Sequence, residues 1–171
     1  YGTTHGNVDV SEAIRVSCNY YFYEVGRLMG IDTMNAMCRS LGLGEKTGIN
    51  LPGEKAGVLA GPDYAESRQE PWYGGDTLAA AIGQSYNLFT PIQLANYIAT
   101  VVNGGTRYQT QIVDKVMTYH NQELVAETDP VIVNQIDITE EYYNAIMKGM
   151  RSVTEDGTAS NVFGNYDIAV G

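Results

Sequence analysis

Thr90-Pro91-Ile92-Gln93 is where this sequence leaves the backbone least choice. The threonine hydroxyl can accept from the amide three residues on, and the proline brings a φ that is already helical. The glutamine can reach back to the threonine amide. The helix runs on through Leu94, Ala95, Ile98, Val101 and Val102, until Asn103-Gly104-Gly105 ends it. Two more helix starts are written in the same chemistry. Asp9 with Glu12 caps a short helix whose apolar side is Val10, Ala13 and Ile14, and Thr139 caps one carrying Tyr143, Ile146, Met147, Met150 and Val153 inward. Glu140 and Glu141 occupy the first turn of that helix, where they complement the dipole.

The first helix should stop at Ser17-Cys18-Asn19, because Ser and Asn compete for backbone hydrogen bonds. Phe22, Val25, Leu28 and Met29 then define a second helix ending near Gly30. Asp32 caps a third, with Met34, Met37, Cys38 and Leu41 inward and Gly42 and Gly44 as terminators. From Glu45 to Gly75 no period is sustained and Pro52, Pro62 and Pro71 interrupt, which predicts a long surface connection with one short strand at Ile49–Leu51. Thr77 to Ile82 reads as a small, buried run. Gln111–Tyr119 and Glu123–Val125 flank His120-Asn121-Gln122 as a peripheral hairpin with Ile112, Val116 and Val125 as its apolar members, and Asp167–Gly171 begins as a strand.

Composition removes several function classes. With 10 Lys plus Arg against 20 Asp plus Glu, the net charge is -10, so no basic surface exists to neutralise phosphates, and nucleic acid is not a partner. No run reaches the roughly 18 apolar residues of a membrane span. Cys18 and Cys38 read as two buried thiols rather than a framework, and with His5 and His120 they offer no metal-ligand spacing, so neither metal nor cofactor is expected. Thirteen Tyr against three Phe suit half-exposed contact surfaces.

The chemistry-bearing triplet is Ser17-Cys18-Asn19. A hydroxyl and a carboxamide two residues apart in a bend can relay a proton and hold an amide, but such a pair needs a nucleophile and a base from elsewhere. Around it stand Gly6-Asn7-Val8-Asp9-Val10, Ala13-Ile14 and Tyr21-Phe22. There follow, in order, Gly42-Leu43-Gly44 with Thr47-Gly48-Ile49 and Pro52-Gly53-Glu54, then Ile82-Gly83-Gln84, Thr90-Pro91-Ile92-Gln93-Leu94, Asn103-Gly104-Gly105, Gly149-Met150 with Val153, and Gly157-Thr158-Ala159. Together these resemble the transpeptidase region of class B penicillin-binding proteins over nearly the whole chain.

That resemblance implies an α+β fold, of which this chain holds the mainly helical subdomain and a small hairpin with the sheet largely missing. It implies a serine-type D-Ala-D-Ala transpeptidase that cross-links peptidoglycan stem peptides through an acyl-enzyme and is a target of β-lactam antibiotics. Ser17 and Asn19 are its expected catalytic residues, with Asn19 also binding substrate. The family's Ser-x-x-Lys nucleophile motif is absent, since none of the seven serines has a lysine three residues later. Residues 1–171 are therefore expected to be a partial, inactive transpeptidase domain, with the nucleophile upstream of Tyr1 and a Lys-Thr-Gly strand downstream. The parent would be anchored by an upstream membrane segment and act on the outer face of the cytoplasmic membrane. Apolar faces meant for the sheet would be exposed and favour self-association.

Two triplets imitate family motifs. Lys46-Thr47-Gly48 follows a helix-ending glycine pair and Ser85-Tyr86-Asn87 lies between Gly83-Gln84 and Thr90-Pro91, so both are expected to be structural. The alternatives are a serine β-lactamase of the same fold and a β-lactam-sensing or non-catalytic penicillin-binding module. For Tyr20 and Tyr21, packing beside the site is expected.

Overall fold

The computed structural model describes residues 4–164 and Val170. The helices are α1 (Val10–Arg15), α2 (Asn19–Ser40), α3 (Pro62–Ser67), α4 (Gly74–Ala81), α5 (Pro91–Val102), α6 (Glu140–Glu155) and α7 (Ser160–Phe163). The strands are β1 (Thr106–Tyr108), β2 (Lys115–Met117), β3 (Leu124–Glu127) and β4 (Ile132–Gln135). β2 pairs antiparallel with β3 as the expected hairpin, Lys115 opposite Glu127, and β1 pairs antiparallel with β4 as a second two-stranded sheet. The class is α+β, with helix far outweighing strand, as the resemblance implied. No helix among the described residues is long and apolar enough to cross a membrane.

The chain divides into two compact units. The first comprises residues 4–34, 61–85 and 138–164 with Val170. Here small residues set the helix contacts. Ser11 and Ala13 of α1 are buried, and the Ser11 hydroxyl donates to the Ala145 carbonyl of α6 at 2.7 Å. A Cβ on Gly149 would stand 3.0 Å from the Ile14 Cβ and 3.1 Å from the Ser11 Cα, so α6 has no side chain where α1 crosses it. Likewise, a Cβ on the buried Gly26 of α2 would lie only 2.4 Å from the Ala81 Cβ of α4. That close approach explains the alanines of α4, though Thr77 to Ile82 is half-buried rather than buried as expected. α3 did not announce itself by periodicity: it is six residues long, with Pro62 at its start and a glycine cap that has no side-chain oxygen to offer.

The second unit comprises Asn35–Ala60 and Tyr86–Asp137. Its hub is a polar side chain. Gln93, 1% exposed, closes the capping box by accepting from the Thr90 amide at 2.8 Å while its Nε2 donates to the carbonyls of Glu45 and Ala56. Thr100, as deeply buried, donates to the Asn96 carbonyl at 2.8 Å. The inward side of α5 is thus Gln93, Thr100 and Val101. Leu94, Ile98 and Val102, apolar residues of the same helix, are exposed.

Other expectations are corrected in the same way. Gly30 (φ 74°, ψ 161°) breaks the helical run as predicted, so α2 is two helices joined at a kink and the expected third helix is present, but it begins directly after Gly30 and Asp32 lies within it rather than before it as a cap. Leu28, Met29 and Met37 are exposed, whereas Met34, Cys38 and Leu41 are half-buried. Ile49–Leu51 forms no strand: the Leu51 amide donates to the Ile49 carbonyl at 2.7 Å, a turn too tight for an extended ladder. The only pairing of this connection among the described residues is the single bridge of Val58 to Leu88. The strand expected at Asp167–Gly171 lies outside the described residues except for Val170, which is in no strand.

Candidate active site

Ser17-Cys18-Asn19 is held by the way α1 ends. Val16 caps the helix, the Ser17 amide donates to the Ile14 carbonyl at 3.1 Å, and the Cys18 amide donates to the Ala13 carbonyl at 2.9 Å. These are the two bonds of a Schellman motif, with Cys18 and Ala13 buried as its accompanying apolar contact. The left-handed position of such a motif normally takes glycine, but here it is Ser17, at φ 51°. A non-glycine residue there costs about 1–2 kcal/mol. The fold accepts that strain at the residue that carries the hydroxyl.

The bend throws both polar side chains outward. Ser17 and Asn19 are exposed, Asn19 being the first residue of α2, and Cys18 points into the core between them. An open hollow of about 710 Å³ is lined by Thr4, His5, Gly6 and the stretch from Val16 to Tyr20. Tyr21 meets Phe22 edge-on with ring centroids 5.3 Å apart. Tyr20, expected to pack, is instead 78% exposed on the rim.

The far end of α6 meets this bend. A Cβ on Gly157 would stand 2.4 Å from the Arg15 carbonyl oxygen, so glycine is required at this approach. The Thr158 amide donates to that same carbonyl at 3.1 Å, and the Thr158 Oγ1 lies 3.1 Å from the Ser17 Oγ, either hydroxyl serving as donor. Arg15 and Asp156 form an ion pair at 3.4 Å, exposed enough to be worth little. Gly157-Thr158-Ala159 is among the stretches that carry the family resemblance, but nothing in the sequence gives Thr158 a part. The glycine preceding it was the available signal, since close backbone approach is one of the few reasons to place one there.

Both imitations are committed to other tasks. The Glu54 carboxylate accepts from the Thr47 amide at 2.6 Å, the Thr47 hydroxyl at 2.8 Å and the Gly48 amide at 3.3 Å, and the segment joins no strand. Desolvation is the largest single influence and raises the Glu54 pKa, but these hydrogen bonds and nearby Lys46 together outweigh it and hold the carboxyl below its ordinary value. The Asn87 Oδ1 accepts from the Ala60 amide at 2.9 Å, tying a buried backbone group. Of the cysteines, Cys18 is buried, and Cys38 is half-buried with its thiol pKa pushed up by desolvation, so Cys38 offers no ready thiolate. Among the described residues no group of three His, Cys, Asp or Glu could hold a metal ion.

Comparison with known proteins gives the family. The family described as the penicillin binding protein transpeptidase domain matches residues 1–170. Peptidoglycan D,D-transpeptidase MrdA of Acinetobacter baumannii is 32% identical over 161 residues, covering 94% of this chain and 24% of that protein. MrdA of Escherichia coli K12 is 31% identical over 170 residues, covering 96% and 26%. In a solved complex of penicillin-binding protein PBP2 with MreC from Helicobacter pylori, the matching chain superposes with a TM-score of 0.78 at 29% identity, over 99% of this chain and 30% of that one. The chain therefore spans about a quarter of the length of the curated relatives it matches. Its helix-rich fold, its Ser-x-Asn bend and its end-to-end match make this chain a member of the class B penicillin-binding protein transpeptidase family.

Proposed function

We propose that this chain forms the Ser-x-Asn wall of the active site of a serine D,D-transpeptidase that cross-links peptidoglycan stem peptides and is acylated by β-lactams. The carrying observation is the presentation of Ser17 and Asn19 on an open hollow at a strained, doubly bonded bend. The names of the relatives favour cross-linking over the hydrolase and sensor alternatives.

In this reading a serine outside these 171 residues attacks the penultimate D-alanine carbonyl, forming an ester and expelling the terminal D-alanine. An amine of a second stem peptide then takes the acyl group and frees the serine. Ser17 passes the nucleophile's proton toward the leaving amine, which a hydroxyl can do because it donates and accepts at once. Asn19 holds the backbone of the donor peptide. The absence of a lysine three residues after any of the seven serines supports placing the nucleophile elsewhere in the protein, with 1–171 as part of its catalytic domain. Work on peptidoglycan would put the whole protein at the outer face of the cytoplasmic membrane.

A fluorescent penicillin tests the reading. The full-length protein should be labelled at a serine outside this chain, and the 171-residue chain alone should stay unlabelled. Label on any of its seven serines would overturn it. The exposed Leu28, Leu94, Ile98 and Val102 further support self-association of the isolated chain, which light scattering should show as a mass that rises with concentration.

A further inference from the structure

We propose that Thr158 is a positioning residue for Ser17, fixing the rotamer in which the Ser17 hydroxyl faces the reacting atoms. The inference rests on the transpeptidase reading of Ser17 and adds a residue to it from a different part of the chain, 141 positions away. An exposed serine side chain ordinarily samples several staggered rotamers. The Ser17 backbone is pinned by the two bonds that end α1, yet nothing in those bonds orders its hydroxyl.

Thr158 supplies what they lack. Its amide is tied to the Arg15 carbonyl at 3.1 Å, and Gly157 permits that approach because any Cβ would collide with the same oxygen. Threonine is branched at Cβ and stiff about χ1, so its hydroxyl is a fixed point once the backbone is fixed. At 3.1 Å from the Ser17 Oγ it selects one rotamer. The contact also leaves the relay intact. When Thr158 accepts, the Ser17 lone pairs remain free to receive a proton, and when Thr158 donates, the Ser17 proton remains free to be given away. Exchange between the two states moves only hydroxyl protons.

The test is a double-mutant cycle in the full-length protein, read as the second-order rate of acylation by a fluorescent penicillin, with melting temperature followed alongside. Thr158→Val keeps the shape and removes the hydroxyl. It should slow acylation by roughly 3- to 10-fold, the equivalent of one hydrogen bond, and Thr158→Ser should restore most of the rate. In a Ser17→Ala background Thr158→Val should change the rate less than about 1.5-fold, since it acts through Ser17. Thr158→Ala provides a second hydroxyl-free variant should the valine disturb folding. An equal loss with and without the Ser17 hydroxyl would overturn the proposal, as would full activity of Thr158→Val in a protein that Ser17→Ala cripples. If Ser17→Ala itself were harmless, the reading of Ser17 would fail first and Thr158 would have nothing to position.

Discussion

The chain carries two Ser-x-Asn triplets, and they differ in what the surrounding structure has already taken from them. Both serines sit in the left-handed region, Ser17 at φ 51° and Ser85 at φ 63°. In the first triplet the asparagine lies on an open hollow and the serine faces a second hydroxyl. In the second, Asn87 is engaged by the Ala60 amide. Identical spelling and similar backbone strain therefore do not make a site. What distinguishes the first triplet, and is the basis for proposing it as the site, is an exposed asparagine bordering the hollow where the second triplet's asparagine holds a buried amide.

The comparison breaks most sharply at the asparagines. Asn19→Ala should lower acylation of the full-length protein by roughly 10- to 100-fold, the loss of a well-placed hydrogen bond, with little change in melting temperature. Asn87→Ala should do the reverse, lowering stability by about 1–3 kcal/mol because it orphans a buried amide, while folded molecules keep their acylation rate. Urea unfolding and labelling on the same samples separate the two. Next in size is Gly157→Ala, whose methyl meets a backbone carbonyl rather than a yielding side chain. A loss of about 1–3 kcal/mol is expected, together with slower acylation as Thr158 is pushed from Ser17. Ser17→Gly sharpens the account from the other side. It relieves the left-handed strain and should stabilise the fold by about 1 kcal/mol while acylation falls, the signature of strain kept for function.

The smallest effect belongs to the Lys46-Thr47-Gly48 loop. Because the folded Glu54 carboxyl titrates below its ordinary value, its contribution is present above the unfolded carboxylate pKa and is lost as pH falls through the lower folded value. The protection factors of the Thr47 and Gly48 amides against hydrogen exchange should fall across that window, with acylation at neutral pH unaffected by Glu54→Gln.

The helix starts were legible because capping is local chemistry. Asp9 with Glu12, Thr90 with Gln93, and Thr139 each make the bond their spacing implied. Local reasoning could not show that Gln93 would also reach Glu45 and Ala56, and this second duty is why α5 buries its polar side and exposes Leu94 and Ile98. The pairing of β1 with β4 was hidden for a related reason, since strands of three and four residues joined across an intervening hairpin leave almost no period to read. At the proposed site, Ser17 and Asn19 stand together in one triplet and can be picked out of the sequence. The Thr158 contact could not, because it exists only once α6 delivers Thr158 to the end of α1.

The most direct test compares the two serines in the full-length protein. Acylation by a fluorescent penicillin should fall by about 100-fold or more in Ser17→Ala and stay within about 2-fold of the parent in Ser85→Ala. Equal rates in the two variants, or a greater loss in Ser85→Ala, would contradict the assignment of the first triplet as the site.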